Sequence, residues 1–307
     1  MNWLQELQNE LKSSVELIDN KIEKTSSILF NSDSNSSVFF ENSDSILDTC
    51  NKLIGLLESK KSELKIIHHL ACSGGSLITK CFSAMPNVFI LSEVHPHSYR
   101  HLKKDMATFL PSDISTLAKQ AGFRESYELA KKIFRLSIKE ASSRVTDRGG
   151  VLILRDHSRS DFCVGDSYTD KSTVTELLLD DFDIIPLVTA CNPIDCYLSL
   201  QSNYWLHFEP QTFNEYCLRF LNFLAQFKKN QIVKYESFTR SSDKVMKKMC
   251  NLLEVQYDES YKLIFDQFKV TGDSGRVGVK IEARPRREIS DELKNEINKS
   301  KNFAYLC

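Results

Sequence analysis

Residues 64–83 read LKIIHHLACSGGSLITKCFS, and this stretch decides the fold. It begins with a short run of residues that favour a β-strand and continues through a Gly-Ser turn. It ends in a segment whose apolar residues have the spacing of a helix. A strand that leads through a glycine turn into a helix is a building unit of a parallel α/β sheet. Ligands bind such sheets at the carboxyl ends of the strands, where a helix N-terminus presents backbone N–H groups to an anion.

Further apolar runs alternate with helical patterns along the rest of the chain. Strands are predicted at PNVFILS (86–92), GVLILRD (150–156), DIIPLVTA (183–190) and QIVKY (231–235). Helices are predicted within 111–146, after Asn192-Pro193, along 213–227 and around 245–253. Strands that alternate with helices predict an α/β fold, with a mainly parallel central sheet flanked by helices.

The first 63 residues differ in character from this pattern. Leucine and isoleucine recur at helical spacing over residues 2–29, a run of turn formers fills 31–45, and a second helix is predicted over 45–60. We therefore expect an N-terminal helical hairpin (1–63) ahead of an α/β domain (64–307). The hairpin is either an appendage to the core, or an arm for homo-oligomerisation or for a partner.

Composition excludes several classes of protein. The net charge of the 307 residues is -1, which argues against a nucleic-acid polymer as partner. No secretory signal and no membrane span is recognised, so we expect a cytoplasmic protein. The nine cysteines include no CxxC pair, which predicts reduced thiols rather than a disulfide framework or a zinc ribbon.

The glycine turn is a candidate phosphate loop. Its glycines let the backbone wrap closely around an anion, and its serines add hydroxyl donors. A Walker loop would need Lys directly after a glycine, whereas Lys80 lies inside the predicted helix, which disfavours a kinase or NTPase. A purely structural turn is the other interpretation of the motif SGGS.

Four motifs in order resemble the PAPS-dependent sulfotransferases, of the bacterial carbohydrate or small-molecule type. ACSGGSLITK (71–80) resembles the 5'-phosphosulfate loop, and CNPIDCYLS (191–199) resembles the 3'-phosphate motif RxPxDxxxS. KYESF (234–238) resembles the element that borders the adenosine pocket. VTGDSGR (270–276), with RPRR (284–287), resembles the C-terminal loop that covers the cofactor.

The resemblance implies a P-loop-like sulfotransferase core. It implies an enzyme that transfers a sulfuryl group from 3'-phosphoadenosine-5'-phosphosulfate (PAPS), its co-substrate, to a hydroxyl or amine of a carbohydrate or small molecule, without a metal. The implied nucleotide-binding residues are Cys72, Ser73, Gly74, Gly75, Ser76, Leu77, Cys191, Ser199, Tyr235, Ser274, Gly275 and Arg276.

Two of these positions depart from the family. Cys72 and Cys191 stand where the motifs carry cationic side chains, and each missing charge-assisted hydrogen bond forfeits about 1.5–3 kcal/mol. Either neighbouring cations compensate for them, or the chain is a catalytically inactive sulfotransferase-fold protein that binds a nucleotide or a protein partner.

Side chains that follow predicted strands are catalytic candidates. Glu93 is the first choice for the base that removes the acceptor proton, and His157 is the second. Arg155 or Arg159 is assigned to anion stabilisation. Glu93 capping a turn and His157 pairing with Asp156 are the structural alternatives. At His95, His97 and His101, a solvated loop is favoured over a metal site. Trp205 and His207 are candidates for the border of the acceptor pocket, and burial in the core is the alternative for the tryptophan.

Overall fold

A computed structural model describes residues 61–97, 111–271, 280–283 and 285–306. Five parallel strands form the central sheet in the order β2-β3-β1-β5-β7. Their bounds are β1 Ser62–His69, β2 Val88–Val94, β3 Val151–Asp156, β5 Phe182–Ala190 and β7 Ile232–Lys234. The predicted α/β fold with a mainly parallel sheet is therefore confirmed.

Helices connect these strands. The bounds of those that the structure describes are α1 Gly75–Ser83, α2 Pro111–Gln120, α3 Ser126–Thr146, α4 Arg159–Phe162, α5 Thr173–Leu178, α6 Pro193–Ser202, α7 Phe213–Ala225, α8 Tyr235–Arg240, α9 Ser242–Leu252, α10 Tyr261–Ile264, α11 Asp291–Lys299 and α12 Lys301–Ala304. Two 3-10 turns, Lys229–Gln231 and Phe265–Gln267, complete the set.

The central strand β1 buries both of its faces. Leu64 and Ile66 point to one face, where α3 and α5 cover them, while Ile67 points to the other face, where α1 and α9 pack. Side chains alternate between the two faces of a strand, so consecutive apolar residues predict a strand that is covered on both sides. This sandwich of helices fixes the strand ends that carry the site.

A second, smaller sheet consists of two strands of two residues each, β4 (Val164–Gly165) and β6 (His207–Phe208), which pair in parallel. The fully buried guanidinium of Arg219 on α7 joins the two chain segments that contain these strands. It donates to the carbonyl oxygens of Phe162, Gly165, Asp166 and Glu209. Sequence periodicity did not predict this pair, because strands of two residues have no detectable alternation.

The predicted N-terminal hairpin (1–63) lies outside the described residues except for its last three positions, of which Ser62 and Glu63 begin β1. The division at residue 63 stays a prediction. Within the described part of the chain, none of the helices combines the length and the apolar character needed to cross a membrane.

Candidate functional site

The candidate site lies at the carboxyl end of β1. After β1 the chain forms β2 and β3, which lie on one side of β1 in the strand order, and it later forms β5 on the other side of β1. The connections therefore diverge here, and this is the place where open parallel sheets bind ligands. The loop between β1 and α1, residues 70–74, occupies it.

The loop enters α1 in a conformation suited to holding an anion. Gly74 has φ +83°, and no side chain caps α1 at this residue. The first N–H groups of a helix have no acceptor within the helix, and they carry its positive end. The Tyr235 ring lies so close to Gly74 that a Cβ atom there would come within 2.1 Å of it. Glycine is therefore required by contact as well as by backbone angle.

The side chains of His69 and Ser73 fix the loop against β1. The His69 ring lies against Gly75, where a Cβ atom would come within 2.6 Å of it. The Ser73 hydroxyl donates to the Leu70 carbonyl at 2.8 Å, and is thus used by the turn itself rather than aimed at a ligand. Gly74, Gly75 and Tyr235, all predicted nucleotide-binding residues, are brought together.

Arg155, at the end of β3, is the centre of a buried polar cluster. Its side chain is 2% exposed, and all five of its N–H groups have acceptors in the protein. The acceptors are His69 Nε2 at 2.7 Å, Ser92 Oγ and the Thr271 carbonyl at 2.9 Å, Ser76 Oγ at 3.2 Å and Glu93 Oε1 at 2.6 Å. Arg155 thereby joins the phosphate loop to the ends of β1 and β2.

Glu93 lies at a bulge in β2. The pairing of β2 with β3 shifts register between Ser92 and Val94, and Glu93 has φ +60°, a conformation that few non-glycine residues adopt. The bulge turns the carboxylate toward Arg155 and His157. Burial raises the pKa of Glu93, but Arg155, His69 and His157 outweigh it and lower that pKa to about 2. A carboxylate so firmly ionised is a weak proton acceptor.

His157 follows β3 and is held at both ring nitrogens. Its Nε2 lies 3.3 Å from Glu93 Oε2, and its Nδ1 lies 2.9 Å from the Ser160 hydroxyl. A carboxylate beside an imidazole orients the ring and stabilises the imidazolium that forms when the ring accepts a proton. The pairing of His157 with Asp156, the structural alternative, is not found. Asp156 instead accepts from His68 at 2.8 Å, where both side chains are fully buried.

Cations border the loop on its other side. Burial raises the pKa of the Cys72 thiol, and the Ser199 hydroxyl on α6 and the charges of Arg159 and Arg287 lower it only in part. Arg287 also donates to Ser202 Oγ at 2.9 Å, one helical turn beyond Ser199. The Cys72 thiol is therefore within the field of two guanidinium groups.

One expectation about the cysteines is wrong. Among the described residues Cys72, Cys81, Cys163, Cys217 and Cys250 are thiols, as predicted, but Cys191 and Cys196 form a disulfide. The prediction of thiols rested on the absence of a CxxC pair, but these two cysteines are five positions apart. Here the chain turns from β5 into α6 between the two residues, which brings their Cα atoms within 6.6 Å, inside the usual range for a disulfide.

Of the histidines after β2 for which a solvated loop is predicted, His95 is not solvated. His95 is buried and lies 3.1 Å from Asp161, and the His97 ring stacks on Tyr127 with centroids 3.6 Å apart. His101, like Ser274, Gly275 and Arg276, lies outside the described residues. Throughout the part of the chain that the structure describes, no cluster of three metal-ligating side chains occurs.

Arg159 is one of the two candidates for anion stabilisation, whereas sequence reasoning missed the role of the His69 ring as an acceptor. His69 accepts from Arg155, and its position as the last residue of β1 was the available signal. Arg159 donates to the Trp205 carbonyl at 2.8 Å, lies 2.7 Å from His207 Nδ1 and faces the Trp205 ring, so the tryptophan and His207 border a cation.

No family model and no curated protein matches this chain. Solved structures that it resembles include the sulfotransferase domain from the curacin biosynthetic pathway, with TM-score 0.45 and 12% identity over 78% of this chain and 98% of that one. A second is a sulfotransferase from Alicyclobacillus acidocaldarius, with TM-score 0.37 and 16% identity over 68% of this chain and 91% of that one. A third is mouse sulfotransferase SULT7A1 complexed with PAP, with TM-score 0.38 and 12% identity over 82% of this chain and 86% of that one. All three are sulfotransferases. The chemistry of this chain depends on its own residues.

The low pKa of Glu93 makes a prediction about acid stability. A carboxyl group whose pKa falls from 4.5 to about 2 on folding stabilises the protein above pH 4.5, and this contribution, about 3 kcal/mol, is lost progressively as pH falls from 4.5 through 2. Glu93→Gln should therefore lower stability at pH 7, because Arg155 loses its counter-charge, and should flatten the decline of the unfolding free energy below pH 5. Urea unfolding from pH 7 to pH 3 measures both effects.

The matched control is Glu140→Gln, which removes an exposed carboxylate that pairs with Arg144. It should change the unfolding free energy by less than about 1 kcal/mol at every pH. Parallel pH profiles for Glu93→Gln and the wild type would contradict the assignment of Glu93 as a buried, ionised partner of Arg155.

Proposed function

We propose that the chain transfers a sulfuryl group from PAPS to a hydroxyl or amine of a carbohydrate or small-molecule acceptor. The observation that carries the proposal is the loop between β1 and α1, where Gly74 at φ +83° opens an uncapped helix beneath Tyr235. The N–H groups at this helix start would hold the 5'-phosphosulfate, and the tyrosine ring would border the adenosine. The order of the four sequence motifs supports the same donor.

The 3'-phosphate would bind beside Cys72, at Ser199 on α6. Arg287 and Arg159 act on the Cys72 thiol electrostatically, so charge is present where the usual loop and motif cations are missing. Arg286 pairs with Asp195 at 3.5 Å on the same helix, which places the basic run along α6. A guanidinium binds phosphate through two parallel hydrogen bonds, so this run can supply what the cysteines cannot.

His157 is the proposed base, in preference to Glu93. The acceptor oxygen or nitrogen would attack the sulfur in line, and the bond from sulfur to the phosphate oxygen would break. Nδ1 of His157 would take the acceptor proton after the Ser160 hydroxyl turns away from it, while Nε2–H stays on Glu93. Glu93, ionised and paired with Arg155, would orient the imidazole and stabilise its charged form. Arg155 would act on the transferred group through its charge and through the position of Ser76.

A non-catalytic, nucleotide-binding role is the second candidate. It is favoured by the cysteines at positions 72 and 191, neither of which carries a positive charge, and by the complete use of the Arg155 donors within the protein. Binding and transfer must therefore be measured separately.

Calorimetric titration tests the binding step. 3'-Phosphoadenosine 5'-phosphate (PAP), the product of the donor, should bind at micromolar concentration and at least about tenfold more tightly than AMP or ATP, since only PAP has the 3'-phosphate. Arg287→Ala should weaken PAP binding about tenfold and leave AMP binding unchanged. Arg144→Ala, at an exposed arginine on α3, is the matched control. Equal affinities for PAP and AMP would overturn the donor assignment.

Sulfuryl transfer is tested with labelled PAPS and a panel of sugar, phenol and amine acceptors. His157→Gln should lower the transfer rate by a factor of about 100–10,000, the usual contribution of a general base, with little change in PAP affinity. A wild-type protein that binds PAP but sulfates no acceptor would favour the non-catalytic role. Equal rates for His157→Gln and the wild type would remove His157 as the base.

A further inference from the structure

A pair of cysteines contacts the loop of the proposed nucleotide site. Cys191 follows β5, Cys196 lies in the first turn of α6, and Cys72 belongs to the phosphate loop. The sulfurs of Cys191 and Cys196 lie 4.0 and 3.6 Å from the Cys72 carbonyl oxygen, and the Cys191 sulfur lies closer, at 3.5 Å, to the Asn192 carbonyl oxygen. The pair, and Cys196 most closely, is therefore in contact with the loop backbone at Cys72.

The oxidation state of Cys191 and Cys196 changes what they offer to the loop. As a thiol, Cys196 carries an S–H group that can donate weakly to the Cys72 carbonyl, whereas a disulfide has no hydrogen to donate. Cys72 has φ +68°, which is uncommon for a residue with a side chain, so this peptide depends on its surroundings to keep its conformation. In the disulfide the loop keeps this conformation with one hydrogen bond fewer, at the residue before Ser73.

The pair is also placed for reversible oxidation. The Cα atoms are 6.6 Å apart, so the backbone already has the spacing that a disulfide requires. Cys191 is 9% exposed and Cys196 is fully buried, so a small reagent would meet Cys191 first. Cys72 remains a thiol in the same structure.

We propose that Cys191 and Cys196 form a reversible modification site, at which oxidation to the disulfide weakens nucleotide binding by the adjoining loop. The inference rests on the proposed function, because it concerns the same nucleotide. The oxidant is a small-molecule disulfide. The Cys191 thiolate attacks it and releases one small thiol, and the Cys196 thiolate then attacks Cys191 sulfur and releases the second. Two cysteines are oxidised, one small disulfide is reduced to two thiols, and the protons pass to those thiols.

The experiment compares the full chain after treatment with dithiothreitol and after treatment with oxidised glutathione. Oxidation should remove two titratable thiols, and peptide mapping should locate the bond at Cys191 and Cys196. The Kd for PAP should rise about three- to tenfold, the range expected for one net hydrogen bond, and dithiothreitol should restore it.

Two variants separate the bond from general oxidation. Cys196→Ser cannot form the disulfide but keeps a hydroxyl donor toward the loop, so its Kd should match that of the reduced wild type under both treatments. Cys250→Ser, at a buried thiol of the core on α9, is the control and should respond to oxidation as the wild type does.

The outcomes distinguish the two proposals. A wild-type protein that binds PAP equally in both states, or that loses no thiols on oxidation, overturns the redox inference and leaves the proposed function standing. Tighter binding after oxidation contradicts the direction of the effect. Absence of PAP binding in both states overturns the proposed function itself.

Discussion

The buried ion pair between Arg155 and Glu93 is the interaction on which the candidate site depends. Removing two charges from water is costly, and the cost is met only when their remaining hydrogen-bonding groups are satisfied. Here the guanidinium meets that condition through the ends of β1 and β2, the start of α1 and the Thr271 carbonyl. One side chain thus fixes the relative positions of the strand ends and of the phosphate loop.

The ion pair also decides the division of roles among the polar groups. Glu93 is held ionised, so in the proposed mechanism its neighbour His157, which the carboxylate orients, removes the proton. Arg155 uses its donors inside the protein, so we expect a bound anion to depend mainly on backbone N–H groups, on the buried Arg159 and on Arg287. In the proposed site, positive charge therefore comes from outside the loop that contains Cys72.

The sequence predicted the main strands and the place of the site because these depend on local patterns. Consecutive apolar residues in β1 and the Gly-Gly turn after it identify a buried strand and a helix start without knowledge of the rest of the chain. Contacts between distant segments could not be predicted in this way. The pairing of His68 with Asp156 and the order of the Arg155 acceptors depend on which strands become neighbours. The disulfide depends on the angle between β5 and α6.

A crystal structure of the full chain grown with PAP would test the proposed site directly. We predict a 5'-phosphate on the N–H groups at Gly74–Leu77, the adenosine beside Tyr235, and the 3'-phosphate between Ser199 and Arg287. A nucleotide bound elsewhere, or a 3'-phosphate that contacts neither of these two side chains, would contradict the proposed site.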